Sequence, residues 1–294
     1  MKVARVGGMQ RLQVPVAILA SLLVTSCGGS EPVREYELHG QILAVRPDRS
    51  EVVIRHEDIP GFMQAMTMPF SVEDAGLLEG RTPGDLVTAT LVVGETSAHL
   101  SSLTTTGHEP LEQSDAPPPP APDILETGEQ VDDAALVNQA GEAAPFSSFR
   151  GHRVALTFIY TRCPLPDFCP LMDRNFASIQ RTLAGRADLG DVRLLTVTFD
   201  PEYDTPPVLS AWAQRRGADP AVWSFLTGEP DAVYAFGEQF GLYVEPSPEG
   251  FDITHNLRTA VVDAEGRLVS MHSGNDWTPD DIVADLIATP APGN

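Results

Sequence analysis

The sequence predicts two folded parts, a small all-β barrel followed by an α/β domain, on three observations. Residues 36–106 hold five short stretches of strand-type alternation separated by turn signals, with no helical period of any length. Residues 154–287 instead alternate buried-looking strands with helical patterns. Between them lies a stretch with neither period, whose centre at 116–122 reads APPPPAP. The 294 residues suit about two domains of roughly 150 residues each, and 42% apolar content allows each a core. A formal charge of −22 sets nucleic acid aside as a partner, because phosphate binding needs clustered Lys and Arg.

The first element is a targeting segment. Lys2, Arg5 and Arg11 precede an apolar run at 14–24, too short for a comfortable membrane span and suited to the centre of a signal peptide. The run meets Val24-Thr25-Ser26-Cys27, small residues directly before a cysteine, which resembles a bacterial lipobox. That resemblance implies a lipoprotein signal peptide at 1–26, with Cys27 diacylated and the mature chain anchored to the periplasmic side of a membrane; an ordinary signal peptide that contains a cysteine is the alternative. Lipidation leaves Cys163 and Cys169 as the one remaining pair, in an oxidising extracytoplasmic compartment.

Residues 36–45, 50–56, 66–70, 85–93 and 98–106 read as strands, with turns at Pro47-Asp48 and Pro83-Gly84. Five short strands without a helix suggest a small barrel of the oligonucleotide/oligosaccharide-binding type, assigned to residues 35–106. Alternation places Met66 and Met68 on one face of their strand. With His56 they offer two thioethers and an imidazole, donors that suit a soft monovalent cation such as Cu(I); methionine as core filler is the plain alternative. The stretch HEDIPGFMQAMTMPF, followed by LLEGRTPGDLVTATL, resembles the CusF-like family of periplasmic copper and silver chaperones over about residues 37–106. The resemblance implies His56, Met66 and Met68 as metal ligands. In the family pattern a tryptophan three residues before the first of these methionines caps the ion through a cation–π contact. Here that position is Met63, which either adds a third sulfur or points away; Phe62 alternates to the other face.

Residues 107–129 read as a stiff extended linker, with His108 solvated. The α/β domain is assigned to residues 130–290. After a turn at Arg150-Gly151, a buried strand at 154–160 leads to Cys163; Cys169 follows a proline-studded loop, and Pro170 opens a helix with Leu171, Met172, Phe176, Ile179 and Leu183 at helical spacing. Residues 191–199 form a second buried strand, stopped by Asp200-Pro201, and Thr205 with Pro206 starts a helix to about Arg216. A strand at 223–227, a helix at 231–240, a hairpin of 258–263 with 268–272, and a helix from Thr278 to about Ile287 complete a thioredoxin-like α/β domain.

A strand that delivers two cysteines to a helix start points to redox or soft-metal chemistry. The helix N-terminus favours thiolate over thiol, and thiolate is both nucleophile and soft-metal ligand; a structural disulfide is the plain alternative. Four stretches, TRCPLPDFCP, TFDPEYDTP, FDITHN and the terminal hairpin with its helix, resemble the Sco/SenC family over about residues 133–287. The resemblance implies copper bound by Cys163, Cys169 and His255. It also implies a carrier rather than an enzyme, with a respiratory cytochrome oxidase subunit or its assembly factors as partner. The cysteine loop departs from the family pattern T-x-C-P-x-x-C-P by two extra residues, Pro166 among them. Asp200 and Asp204 are expected to order the loop, Asp200 as the partner behind the ligands and Asp204 alternatively as a helix cap. Copper is expected to move from the thioether site to the charged thiolate site, the stronger sink, by way of the linker.

The rival reading is a thiol–disulfide oxidoreductase in which Cys163 attacks and Cys169 resolves. Thioredoxin-type oxidoreductases carry a cis-proline just before the strand that faces the cysteines, whereas residues 254–257 contain none and place His255 there. Such an enzyme also has no use for a Met/Met/His site.

Overall fold

Period-two alternation builds the first sheet. The computed structural model describes residues 1–2, 33–111, 124–246 and 253–292. The expected signal run, Cys27 with its expected lipidation and the proline run at 116–122 lie outside them. Strands β1 (Arg34–Arg46), β2 (Glu51–His56), β3 (Met66–Ser71), β4 (Asp85–Val93) and β5 (Ala98–His108) are antiparallel in the order β3-β2-β1-β4-β5. A bridge between Val72 and Leu100 joins the end of β3 to β5 and closes the sheet into a barrel. Val87, Ala89, Leu91 and Val93 alternate inward along β4 and meet Leu38, Ile42, Ile54 and Leu100 in the core. Gly40 lies opposite His56, where a Cβ would come within 2.8 Å of the His56 Cα, so a side chain there would push the end of β2 away.

The second sheet has the order β13-β12-β7-β8-β9-β6, built from β6 (Leu136–Asn138), β7 (Val154–Ile159), β8 (Arg193–Thr198), β9 (Trp223–Gly228), β12 (Arg258–Val262) and β13 (Leu268–Ser273). Strands β7, β8 and β9 are parallel and the others antiparallel to their neighbours, a thioredoxin-like mixed sheet. Every residue of β7 is buried, as expected of a central strand covered on both faces. Helices α1 (Cys169–Ala184) and α4 (Pro279–Ala288) pack together and on this sheet, while α2 (Pro206–Arg216) and α3 (Pro230–Glu238) pack against β9. Phe176 meets Trp223 and Trp277 beneath α1, and Phe146, Phe158, Phe236 and Phe240 form the aromatic cluster around α3. No helix among the described residues is long and apolar enough to cross a membrane.

Three details differ from the sequence expectation. His108 ends β5 instead of starting a linker, and its Nδ1 lies 2.9 Å from Asp85 Oδ1. Residues 124–131 belong to the α/β domain, because the Gly128 and Val131 amides donate to the Leu268 and Gly266 carbonyls and Val131 is buried. A short hairpin of β10 (Val244–Pro246) and β11 (Ile253–His255) stands where the sequence shows no strand period.

Arg153, 3% exposed, ties the ends of the α/β domain together. Its guanidinium donates to both Asp191 carboxylate oxygens and to the carbonyls of Asp188, Leu286 and Thr289. Replacing it by alanine strands one carboxylate and three carbonyls, so Arg153→Ala is expected to cost about 3 kcal/mol in chemical denaturation. A loss under about 0.5 kcal/mol, the size of an ordinary surface substitution, would contradict this role.

Candidate functional site

The cysteine loop leaves the C-terminal end of β7, the end at which ligands gather in open α/β sheets. Its root is clamped from the segment after β8. The Thr161 amide (3.0 Å) and hydroxyl donate to Asp204, and the Thr198 hydroxyl donates to the same carboxylate at 2.6 Å. Asp204 therefore anchors the loop and does not cap α2. Arg162, the neighbour of Cys163, pairs with Asp200 through Nε (3.0 Å) and Nη2 (2.6 Å) and lies 4.2 Å over the Tyr203 ring.

Cys163 is partly buried and Cys169, the first residue of α1, fully so; both are free thiols. Burial opposes ionisation of Cys163, yet hydrogen bonds from the Cys169 side chain and amide hold its thiol below the ordinary value. Burial and the neighbouring Cys163 sulfur push the Cys169 thiol well up. Helix-start stabilisation thus falls on Cys163, through the Cys169 N–H, and not on the cysteine inside the helix.

His255 ends β11, its ring 4.5 Å from that of Phe199 and edge-on to Tyr160 at 5.5 Å. Burial lowers its pKa to about 4, outweighing the hydrogen bond that its Nδ1 makes with the Asn256 carbonyl. The ring is therefore neutral at neutral pH, with Nδ1–H committed to the carbonyl and the Nε2 lone pair able to bind a metal.

In the barrel, Met66 pairs with His56 across β2 and β3, and Met68 with Ile54, so all four side chains share the inward face. The His56 Nδ1 lies 2.7 Å from the Glu57 carbonyl, and its ring meets Phe70 edge-on. Met63 is held by reciprocal backbone hydrogen bonds with Ile59 and is 7% exposed. Phe62 turns away and stacks on Tyr36 at 4.4 Å.

The two donor sets meet. One cavity of about 30 Å³ is lined by Met63, Met66 and Met68 from the barrel and by Tyr160, Cys163 and His255 from the α/β domain. The extra cysteine-loop residues make the junction. Leu165 is only 5% exposed and belongs to the barrel's apolar cluster. Beside it, Asp167 accepts from the Ala98 amide at 3.3 Å, and Arg174 Nη2 donates to both the Thr96 (3.2 Å) and Pro166 (2.8 Å) carbonyls. Strand β11 packs on β3. His56 lies behind Met66 and is not among the lining residues, and Cys169 lies behind Cys163. Among the described residues no three His, Cys, Asp or Glu side chains are close enough to hold a metal ion, so Cys163, Cys169 and His255 do not form a closed set. The inter-domain convergence has no periodic signature; the two additional loop residues are its only trace in the sequence.

One turn after Cys169 stands Asp173, fully buried, accepting from Trp212 Nε1 (2.8 Å) and Arg216 Nε (3.1 Å). Burial outweighs these partners and raises its pKa from 3.8 to about 6. With the folded value raised, its contribution is full below the unfolded pKa of 3.8 and is lost as pH rises through about 6. Asp173→Asn, which keeps the neutral form, is thus expected to gain roughly 3 kcal/mol relative to wild type between pH 3.5 and pH 7. Denaturant titrations at the two pH values measure this, and a pH-independent difference would refute it. For the thiols, Cys163 is expected to alkylate first and below the ordinary thiol value of about 8.5. Mass mapping of iodoacetamide adducts against pH reads the order, and labelling of Cys169 first would reverse the assignment.

Comparison with known proteins adds the following. The SCO1/SenC family model matches residues 125–289, and the model for the copper binding periplasmic protein CusF matches residues 35–105. The SCO1 protein homolog of Bacillus subtilis is 29% identical over 163 residues, 53% of this chain and 81% of that protein. The mitochondrial SCO2 homolog of Bos taurus is 26% identical over 145 residues, 48% of this chain and 53% of that protein, so the chain spans about half of this relative. The structure of Bradyrhizobium japonicum ScoI with copper bound is 25% identical and covers 55% of this chain and 100% of its own, with a TM-score of 0.47.

Proposed function

The chain belongs to the SCO1/SenC family, and from that premise we propose that it is an extracytoplasmic copper carrier that delivers its cargo for assembly of a respiratory cytochrome oxidase copper site. Sco family proteins take part in cytochrome oxidase assembly, and the CusF match adds a second copper-type domain ahead of the first. Cys163, Cys169 and His255 are the ligands proposed for the α/β domain, and His56, Met66 and Met68, with Met63 as a further candidate, those for the barrel. Cys27 is the proposed lipid anchor, holding the carrier at the membrane where its client is built.

The donor chemistry fits Cu(I). Thiolate, thioether and neutral imidazole are soft or borderline donors, and no carboxylate is among the residues that line the cavity, as a hard cation would want. The observation that carries the reading is that Cys163, with the free Cys169 behind it, lines one cavity with His255 and three methionines. Asp200 supports the site from behind through its pair with Arg162. A thiol–disulfide oxidoreductase is less favoured, since the methionines facing Cys163 would hinder a partner's disulfide from reaching it.

The reduced full chain is expected to hold Cu(I) against a competing chelator, and Cys163→Ser with Cys169→Ser to lose affinity by about a hundredfold or more, the effect of removing both charged ligands. Unchanged affinity in that variant would overturn the ligand assignment. Strong, metal-independent turnover in an insulin-reduction assay would favour the oxidoreductase.

A further inference from the structure

The cavity between the barrel and the α/β domain holds a donor set that neither domain possesses alone. Among the described residues, Cys163, Cys169 and His255 are not preassembled around one point. The groups facing Cys163 across the cavity are the Met63, Met66 and Met68 side chains. The cavity is small, about 30 Å³, room for little more than a water or two, so an ion bound there takes ligands from the walls. The lining offers sulfur, imidazole and apolar carbon, with the Thr67 and Tyr160 hydroxyls as its side-chain oxygens and no carboxylate, which favours a soft ion over a hard one.

The junction is built and not incidental. Leu165, in the lengthened cysteine loop, is buried in the barrel's apolar cluster with Met63 and Met68, and Asp167 and Arg174 hydrogen-bond to the backbone at Ala98 and Thr96. The Asn275 amide donates to the Asp167 carbonyl at 2.8 Å and holds the loop from the α/β side. The same seven residues, 163–169, therefore carry both thiols and the plug that seats one domain on the other.

Resting on the copper reading above, we propose a mixed inter-domain site in which a single Cu(I) is shared between the Cys163 Sγ and the Met66 and Met68 sulfurs, with Met63 and His255 completing the wall, so that cargo is exchanged inside the docked molecule. The exchange is a ligand substitution. As the Cu–thiolate bond to Cys163 forms, a Cu–thioether bond to a methionine breaks, the thiol proton passes to solvent, and copper remains Cu(I) throughout. The site is a waypoint: with the second thiol, Cys169, behind the first, the ion can move on toward the cysteine pair without crossing open solvent.

The test uses the reduced full chain, Cu(I) alone as probe, and a competing chelator that reports the affinity of the first equivalent bound. With separate sites the first equivalent goes to the thiolates, and the methionines do not affect it. With a shared site, Met66→Leu with Met68→Leu, a substitution that conserves core volume, is expected to weaken the first equivalent by about tenfold or more and to lower the number of sulfurs around copper seen by X-ray absorption. Leu165→Ser, which keeps every sulfur and removes only the plug, is expected to weaken it in the same direction. If both variants bind the first equivalent as wild type does, the shared site is overturned while the copper reading stands. If wild type fails to hold Cu(I) against the chelator at all, the copper reading itself falls.

Discussion

Burial of Leu165 in the barrel core is the contact on which the geometry of the candidate site depends. A leucine moved from water into an apolar cluster contributes about 2 kcal/mol, enough to bias docking of two domains already joined by a chain but not to weld them. The hydrogen bonds of Asp167 and Arg174 to backbone groups around Ala98 then fix its register. The cysteines are in the same loop, so the plug cannot shift without moving them. An insertion that looks like a perturbation of the metal loop is in structural terms a bracket between two donor sets.

Enclosure also sets the charge state of the donors. Burial lowers the His255 pKa to about 4, which keeps the imidazole neutral at neutral pH, with a lone pair able to bind a metal. Burial likewise keeps Cys169 protonated, while Cys163 draws hydrogen bonds from it and becomes the first anion of the pair. Asp173 behind the pair disfavours a second negative charge at Cys169. Cys163, whose thiol is held below the ordinary value, is thus the first of the pair to supply a negative charge, beside a protonated Cys169 and a neutral imidazole.

Much of this was legible in the sequence because it is periodic. Alternation at Met66 and Met68, the helical spacing of Met172, Phe176 and Ile179 and the breaks at Pro47 and Pro83 each have a local cause, and the strands and helices lie within a few residues of where those causes put them. The hairpin that presents His255 has three-residue strands, too short for a period to register. The role of Asp204 was ambiguous for a different reason. An aspartate just before a helix is a common cap, and only the fold brings Thr161 and Thr198 within its reach. Docking of the two domains lies further from the sequence still. Leu165 between two prolines has the composition of an exposed turn, and its apolar side chain gains a meaning only once a second surface is present to bury it.

The same docking changes what the covalent fusion of two copper-type domains accomplishes. If the barrel and the α/β domain moved freely, the chain between them would raise their mutual concentration to the order of millimolar, and each transfer would wait on an encounter. In the docked arrangement Cys163 and the three methionines already line one cavity of about 30 Å³. In the proposed shared site the ion would need no release into solvent between the two sets of ligands, where Cu(I) would be open to oxidation and competing thiols. The direction proposed for such an exchange follows from charge. A neutral thioether holds a cation less strongly than a thiolate does, so within one cavity the gradient of affinity runs from methionine to cysteine, and proximity determines only how quickly it is followed.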